Sequence, residues 1–332
     1  MLDLQYQIQL LILLATTAYH GFVTRSENRN QSPPGQLADV GGYKLHLYTL
    51  GQGKPTVILD HSLGGIEGYF LIEEIAKLTR VCIYDRAGYG WSDSSFKPRT
   101  SAQIVQELDQ LLTTAEIKPP YILVGNSFGS YNVRLYADQF PEKVAGIVLT
   151  DGLHESGMLK MSLSLQSLKL FFISGFLMSI LGASLGLVRL LNLLGLFEIL
   201  KPELRQFPPV ALRSVKRSFL RPKHWLTMMQ ELWSLDKSGY QLLAAQDLGD
   251  LPIISIKASA FFKHSGWNFY MPLQAADRLR ETMHAELLKL STNCQQLSAD
   301  RSDHFVWVDQ PEVILKAIQL ILEQSVDRKT SI

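Results

Sequence analysis

Cysteine is nearly missing from this chain. Only Cys82 and Cys294 occur in 332 residues, each inside an apolar, strand-like run. That excludes a disulfide framework and cysteine zinc spacing, and leaves buried reduced thiols. An excess of charge is missing too: 32 basic and 31 acidic side chains give a formal net charge of +1. No basic run is interleaved with aromatic residues, so nothing favours nucleic acid as a partner. Carboxylates are absent from residues 251–276, and residues 170–188 carry no charge of either sign.

Nearly half of the residues are hydrophobic, enough for a sizeable core. The length suits one large α/β domain with an insertion, or two modest domains. Residues 8–23 are mostly apolar around Leu-Leu-Ile-Leu-Leu, but Asp3 stands where a secretory signal carries positive charge. This segment suits either a helix docked on the domain or a membrane anchor. Residues 26–34 are polar, end in two prolines and read as a linker, so the folded domain is expected to start near Gly35.

Residues 36–40 and 43–50 alternate as strands do, joined by Gly41-Gly42. Residues 56–60 form a third strand, stopping at His61-Ser62-Leu63-Gly64-Gly65. Helix over 66–78, strand over 80–84, a glycine-dense loop from Asp85 to Asp93 and an amphipathic helix over 102–115 follow. A strand over 121–124 running into Gly125, helix over 131–140 and strand over 145–150 continue the alternation. Such alternation predicts right-handed crossovers and a mainly parallel sheet with helices on both faces. The pattern breaks over 152–250, which is leucine-rich and lacks a strand signal. It resumes with strand 251–257, helix 272–290, strand 295–298 and helix 311–323. Three parts are therefore expected: an amino-terminal segment and linker (1–34), a core (35–151 and 251–326), and a helical cap (152–250). Because strands flank the cap, its uncharged run cannot cross a membrane an odd number of times. A greasy lid over an apolar pocket or an interface-dipping cap both fit.

The stretch that organises these elements is Tyr121-Ile122-Leu123-Val124-Gly125-Asn126-Ser127-Phe128-Gly129. A strand runs into Gly-x-Ser-x-Gly and a helix follows, which lifts the Ser127 hydroxyl above the carboxyl end of the sheet. Such a serine needs a base. Among eight histidines, His304 is the best placed, on a loop between the last strand and the helix opened by Pro311. His61 is the runner-up at the same edge, and His154 could reach the pocket from the start of the cap. His46, His224, His264 and His284 read as strand, cap or surface positions. The third member must be a carboxylate. Since 251–276 is empty of carboxylates, Asp151 at the end of the preceding strand is the candidate. Asp303 would point away from its histidine neighbour in an extended loop. The N–H groups of Phe128 and Leu63 are the expected oxyanion donors.

These residues together resemble the α/β-hydrolase superfamily, within it the serine-nucleophile branch related to esterases, cofactor-free haloperoxidases and epoxide hydrolases. The resemblance runs over about 36–325 and rests on the loop 84–92, on Gly125 to Gly129, and on Asp303 to Pro311. It implies an eight-stranded, mainly parallel sheet with a helical cap insertion. It also implies Ser127 as nucleophile, His304 as base, Asp151 at the family's alternative acid position, and Leu63 and Phe128 as oxyanion donors. Asn126 stands where many relatives carry histidine, and Ser62 where glycine is frequent. Serine at the elbow disfavours epoxide and haloalkane hydrolysis, which proceed through an aspartyl ester. Cleavage of a carboxylic ester, thioester or lactone of an apolar acyl substrate is expected, with no metal and no cofactor. A slow-turnover ligand-binding protein or receptor on the same fold is the alternative. The chain is expected to be membrane-associated, through residues 8–23 or the cap, or cytoplasmic.

Overall fold

Short apolar runs, rich in β-branched residues and buried on both faces, make the strands of this protein. The computed structural model describes residues 2–200, 202–245, 247–262 and 271–330. Helix α1 (Leu2–Asn30) precedes a hairpin of β1 (Gln36–Asp39) and β2 (Lys44–Leu50). Then come β3 (Thr56–Asp60), α2 (Glu67–Ile75), β4 (Val81–Asp85), α3 (Ser101–Thr114), β5 (Tyr121–Asn126), α4 (Gly129–Gln139) and β6 (Val144–Thr150). A run of helices intervenes: α5 (Glu155–Met158), α6 (Leu163–Ser184), α7 (Leu187–Leu193), α8 (Phe197–Leu200), α9 (Pro209–Phe219), α10 (Pro222–Trp233) and α11 (Leu235–Leu242). The sheet resumes with β7 (Ile253–Ala258), α12 (Leu273–Leu287) and β8 (Cys294–Ala299), followed by α13 (Val306–Asp309) and α14 (Pro311–Thr330).

The eight strands form one sheet in the order β1-β2-β4-β3-β5-β6-β7-β8. Pairings β1–β2 and β2–β4 are antiparallel, and the rest are parallel. Alternate side chains go to opposite faces. Ile58, Leu123, Ile147 and Leu149 pack with α3 and α4, while Val57, Leu59, Val124 and Val148 pack with α2 and α14. In α3 the residues Ile104, Leu108, Leu111 and Leu112 form the buried stripe. At the first hairpin the Asp39 carboxylate accepts from Gly41 N at 2.8 Å and Gly42 N at 3.1 Å, and both glycines take a positive φ. Because β3 to β8 run parallel, the loops leaving Asp60, Asp85, Asn126, Thr150 and Ala258 meet at one edge.

Two expectations need correction. The polar stretch read as a linker from residue 26 is helical as far as Asn30. Tertiary partners hold that last turn: Glu27 and Asn28 bind arginines of the helical insertion. His284, read as a strand, cap or surface position, is buried on α12 against Asp151. Both cysteines are free, Cys82 fully buried and Cys294 half-buried at the start of the edge strand β8. Burial pushes each thiol up to about 11.

Candidate active site

The turn after β5 is tight because two glycines allow it. A Cβ on Gly125 would lie 2.6 Å from Val133 and 2.7 Å from the Gly129 carbonyl, and one on Gly129 would collide with the Asp60 carbonyl. Between them Ser127 takes φ 49°, a left-handed conformation that a serine adopts only under constraint. The Ser127 N–H donates to the Thr150 carbonyl at 3.0 Å, tying the elbow to the end of β6.

The residue just after that strand is Asp151, also with a positive φ (41°) and 2 % exposed. Its carboxylate gathers donors from three elements. His304 Nδ1 lies 2.5 Å from Oδ2, and His284 Nε2 lies 3.0 Å from Oδ1. Arg280 donates through Nη2 to Oδ1 at 2.5 Å and through Nε to Oδ2 at 3.1 Å, and the Ala258 N–H reaches Oδ1 at 3.3 Å. Burial alone would push this carboxyl up. The hydrogen bonds of His284 and His304, with the charges of His304 and Arg280, outweigh it and hold Asp151 well below the usual carboxylate range. It is a carboxylate at neutral pH.

His304 arrives on the loop after β8. Its N–H donates to the Phe261 carbonyl at 3.3 Å, and its ring lies 5.2 Å from that of Phe261. Asp303 takes a different role: its Oδ1 accepts from the Phe305 N–H at 3.0 Å, at the start of α13.

The loop after β3 is held from beneath. Glu67, on the first turn of α2, accepts from His61 Nδ1 at 3.1 Å, from Ser62 N at 3.0 Å and from the Ser62 hydroxyl. Against the raising effect of burial, these bonds and the charge of His61 bring Glu67 to about 2. Arg86, 1 % exposed, binds the loop from the other side. It donates to the His61 carbonyl at 2.7 Å, the Ser62 carbonyl at 2.9 Å and Asp60 Oδ1 at 2.6 Å. Its remaining N–H groups reach Glu231 of α10 at 2.7 and 2.9 Å. The backbone of this loop is thereby fixed, and among the described residues neither the Leu63 nor the Phe128 N–H donates to a protein acceptor.

The structure thus joins Asp151 to His304 directly, and Ser127 to the residue preceding Asp151. His61, the runner-up base, is instead engaged with Glu67. His154 caps α5 by accepting from Ser156 N, and burial with the Arg134 charge brings it down to about 4. His46 pairs with Asp85 on the second strand. His224 is buried on α10 among Phe219, Trp225 and Tyr89. His264 lies outside the described residues. Arg280, His284 and Arg86 are additions that sequence reasoning missed. Arg280 and His284 are one helical turn apart, the spacing that puts two side chains on one face. No described group of three His, Cys, Asp or Glu side chains is arranged to hold a metal. A cavity of about 450 Å³ between Phe96, Arg99, Ile173, Met229 and Trp233 includes none of Ser127, Asp151 or His304.

Comparisons with known proteins agree with this geometry at the level of fold. Residues 49–177 match the family model described as the alpha/beta hydrolase fold. The uncharacterized protein YbdG of Bacillus subtilis is 28 % identical over 146 residues, covering 43 % of this chain and 45 % of that protein. An uncharacterized vacuolar membrane protein of Saccharomyces cerevisiae, YNL115C, is 33 % identical over 115 residues, covering 32 % of this chain and 18 % of that protein. The chain therefore spans less than half the length of these curated relatives. Among solved structures, the enol-lactonase from Burkholderia xenovorans LB400 superposes with a TM-score of 0.58 at 16 % identity, covering 87 % of this chain and all of that one. By its sheet order, its strand-turn-helix at Ser127 and this family match, the chain is an α/β-hydrolase-fold protein.

Proposed function

We propose that the protein is a serine hydrolase that cleaves a carboxylic ester, thioester or lactone of an apolar acyl substrate through an acyl-enzyme on Ser127. The observation that carries this reading is the 2.5 Å contact of His304 Nδ1 with Asp151, one residue beyond the carbonyl that receives the Ser127 N–H. A proton on Nδ1, held by a carboxylate, leaves Nε2 as the lone-pair nitrogen. In the first step Nε2 takes the Ser127 proton while Oγ bonds to the acyl carbon. The carbonyl oxygen becomes an oxyanion that accepts from the Leu63 and Phe128 N–H groups. His304 then gives the proton to the leaving alcohol or thiol as that bond breaks. Water repeats the sequence on the acyl-enzyme, releasing the acid and restoring Ser127.

In this reading the insertion between β6 and β7 is a cap, joined to the oxyanion loop through the Arg86–Glu231 pair. The test is labelling by a fluorophosphonate with a burst of p-nitrophenol from short acyl esters. Labelling at Ser127 and its loss in Ser127→Ala support the reading. Saturable binding of such esters with neither burst nor label would instead favour a binding protein.

Membrane association belongs to the same proposal, through residues 8–23 and the cap. Helix α6 is long and apolar enough to cross a membrane, yet only 11 % of its most apolar window is buried. A core helix of a soluble protein hides most of its surface. Leu170, Phe171 and Met178 on α6, and Leu10, Leu11 and Phe22 on α1, are all exposed. Because α6 lies along α10 and both flanking strands share one sheet, contact in the plane of the membrane surface suits it better than a crossing. The name of the yeast relative, a vacuolar membrane protein, is consistent with this. Flotation with phosphatidylcholine vesicles tests it: full-length protein should float, and charged substitutions at Leu10 and Phe171 should leave it in the pellet.

A further inference from the structure

Three guanidinium groups converge on a single carboxylate where α1 meets the helical insertion. Arg189 of α7 grips Glu27 with Nη1 2.6 Å from Oε1 and Nη2 3.0 Å from Oε2. Arg221, just before α10, donates to the same Oε2 at 2.6 Å, and Arg217 Nη1 of α9 lies 3.9 Å from it. The other acceptors in reach are neutral. Asn28 Oδ1 accepts from Arg217 at 2.7 Å and from Arg221 at 3.4 Å, and Thr24 Oγ1 accepts from Arg189 at 3.4 Å. Beside them Lys223 donates to the Ser92 carbonyl. The acidic neighbours are engaged elsewhere: Asp85 pairs with His46, and the Asp93 carboxylate accepts from the Lys44 N–H.

Among the described residues two positive charges are therefore in surplus, on side chains only 7 to 12 % exposed. Arg217 Nε and Nη1 and Arg221 Nε are buried and donate to no described group. A buried cation without a counter-charge is costly, and an unused N–H adds to the cost. The strain is visible in the ionisation of the group. Burial and the neighbouring arginine charge pull Arg221 down to about 10, and burial above all pulls Arg217 down. Structure alone would need one arginine for Glu27; this junction carries three.

The missing component is an oxyanion with several acceptors, and guanidinium forks match phosphate oxygens two at a time. We propose that Arg189, Arg217 and Arg221 form a binding site for a phosphate group, entered beside Arg217, whose side chain is the most exposed of the three. The flat side of Arg217 is braced on the Trp91 ring, 3.9 Å from its centroid, which orients its fork. The phosphate is that of a phospholipid headgroup or of a free phosphate ester. None of the contacts of these arginines involves Ser127, Asp151 or His304, and the site does not depend on the hydrolase reading.

The test uses the full chain and two probes: inorganic phosphate, and phosphatidylcholine vesicles with and without phosphatidic acid. Phosphate should raise Tm saturably where acetate and chloride at equal ionic strength do not. Arg217→Gln and Arg221→Gln should each weaken that response about tenfold. Arg217→Lys, which keeps the charge and loses the fork, should fall between. Near-ultraviolet circular dichroism and the Tm without phosphate establish that each variant is folded. A preference for phosphatidic acid vesicles that is lost in Arg217→Gln identifies a headgroup; a response to the soluble ion alone identifies a free ester. A wild-type chain that does not distinguish phosphate from acetate and has no vesicle preference overturns the proposal. So does a phosphate response that survives unchanged in both glutamine variants.

Discussion

The sheet edge and the α1 junction both bury arginine, and they do so in opposite ways. At the edge each of the described buried arginines faces a carboxylate of its own. Arg86 faces Asp60 and Glu231, Arg134 faces Glu155, and Asp151 faces Arg280 and two histidines. At the junction three arginines share Glu27. The edge lies where parallel strands end, sealed by helices on both faces, so an unanswered charge there would have nowhere to find a partner. The junction lies between α1 and the insertion, and there the proposed phosphate would supply the missing negative charge. Complete pairing fixes a geometry, whereas surplus charge leaves a capacity to bind. Both are purchased with desolvation, but only the first is complete without a ligand.

Four substitutions break or sharpen this contrast. The largest effect is on turnover at the paired edge. Ser127→Ala should lower kcat on p-nitrophenyl butyrate by about 10⁶-fold. Undiminished turnover in purified variant would sink the hydrolase reading. Next, Arg86→Met strands two buried carboxylates and releases the carbonyls of His61 and Ser62. It should destabilise the fold by about 3–5 kcal/mol in urea unfolding. A loss below about 1 kcal/mol would mean that the edge relaxes around an unpaired charge, and the contrast would fail. At the junction, Glu27→Gln leaves three arginines facing one another and should cost about 1–3 kcal/mol. Arg221→Gln, which removes surplus charge, should cost less than Glu27→Gln or nothing. The reverse ranking, read from the same unfolding curves, would show that the arginines there are fully satisfied.

How far these regions were legible in the sequence follows from the distance between partners along the chain. The strand, turn and helix around Ser127 are local, written in nine consecutive residues. The candidacy of Asp151 came from an absence, the empty 251–276 segment, and that too is visible without coordinates. The networks were not visible. Arg86 and Glu231 are separated by 145 positions, and Glu27 and Arg221 by 194, so no periodicity relates them. The last turn of α1 was misread for the same reason: its polar residues favour a linker locally, and arginines from α7 and α9 decide otherwise. His284 carried one signal that could have been used, since Arg280 precedes it by one turn on an otherwise amphipathic helix.

That pair gives the smallest and most selective prediction. Arg280 and His284 bind the carboxylate that His304 also uses, so a fixed positive charge lies beside the proposed base's partner. The groups around it are accounted for. Asp277 Oδ1 accepts from Arg280 Nη1 at 3.3 Å, the Ala258 carbonyl accepts from Nη2 at 3.0 Å, and Glu281 is paired with Lys257. Replacing Arg280 by glutamine removes a charge that opposes formation of an imidazolium at His304. The imidazolium is the inactive form for attack by Ser127, so the acidic limb of kcat/KM should move to higher pH. Turnover on the alkaline side of that limb should fall less than tenfold, because Asp151 keeps His284, His304 and the Ala258 N–H as donors. Stability should shift in the same direction. Asp151 is held below its unfolded range, so its ion pairs stabilise the fold above about pH 4 and lose that contribution as pH falls through the lower folded value. Arg280→Gln narrows the interval between the two values, and acid unfolding should begin at a higher pH. An acidic limb that does not move, in a variant whose acid unfolding does, would assign Arg280 to holding the fold rather than to tuning the base.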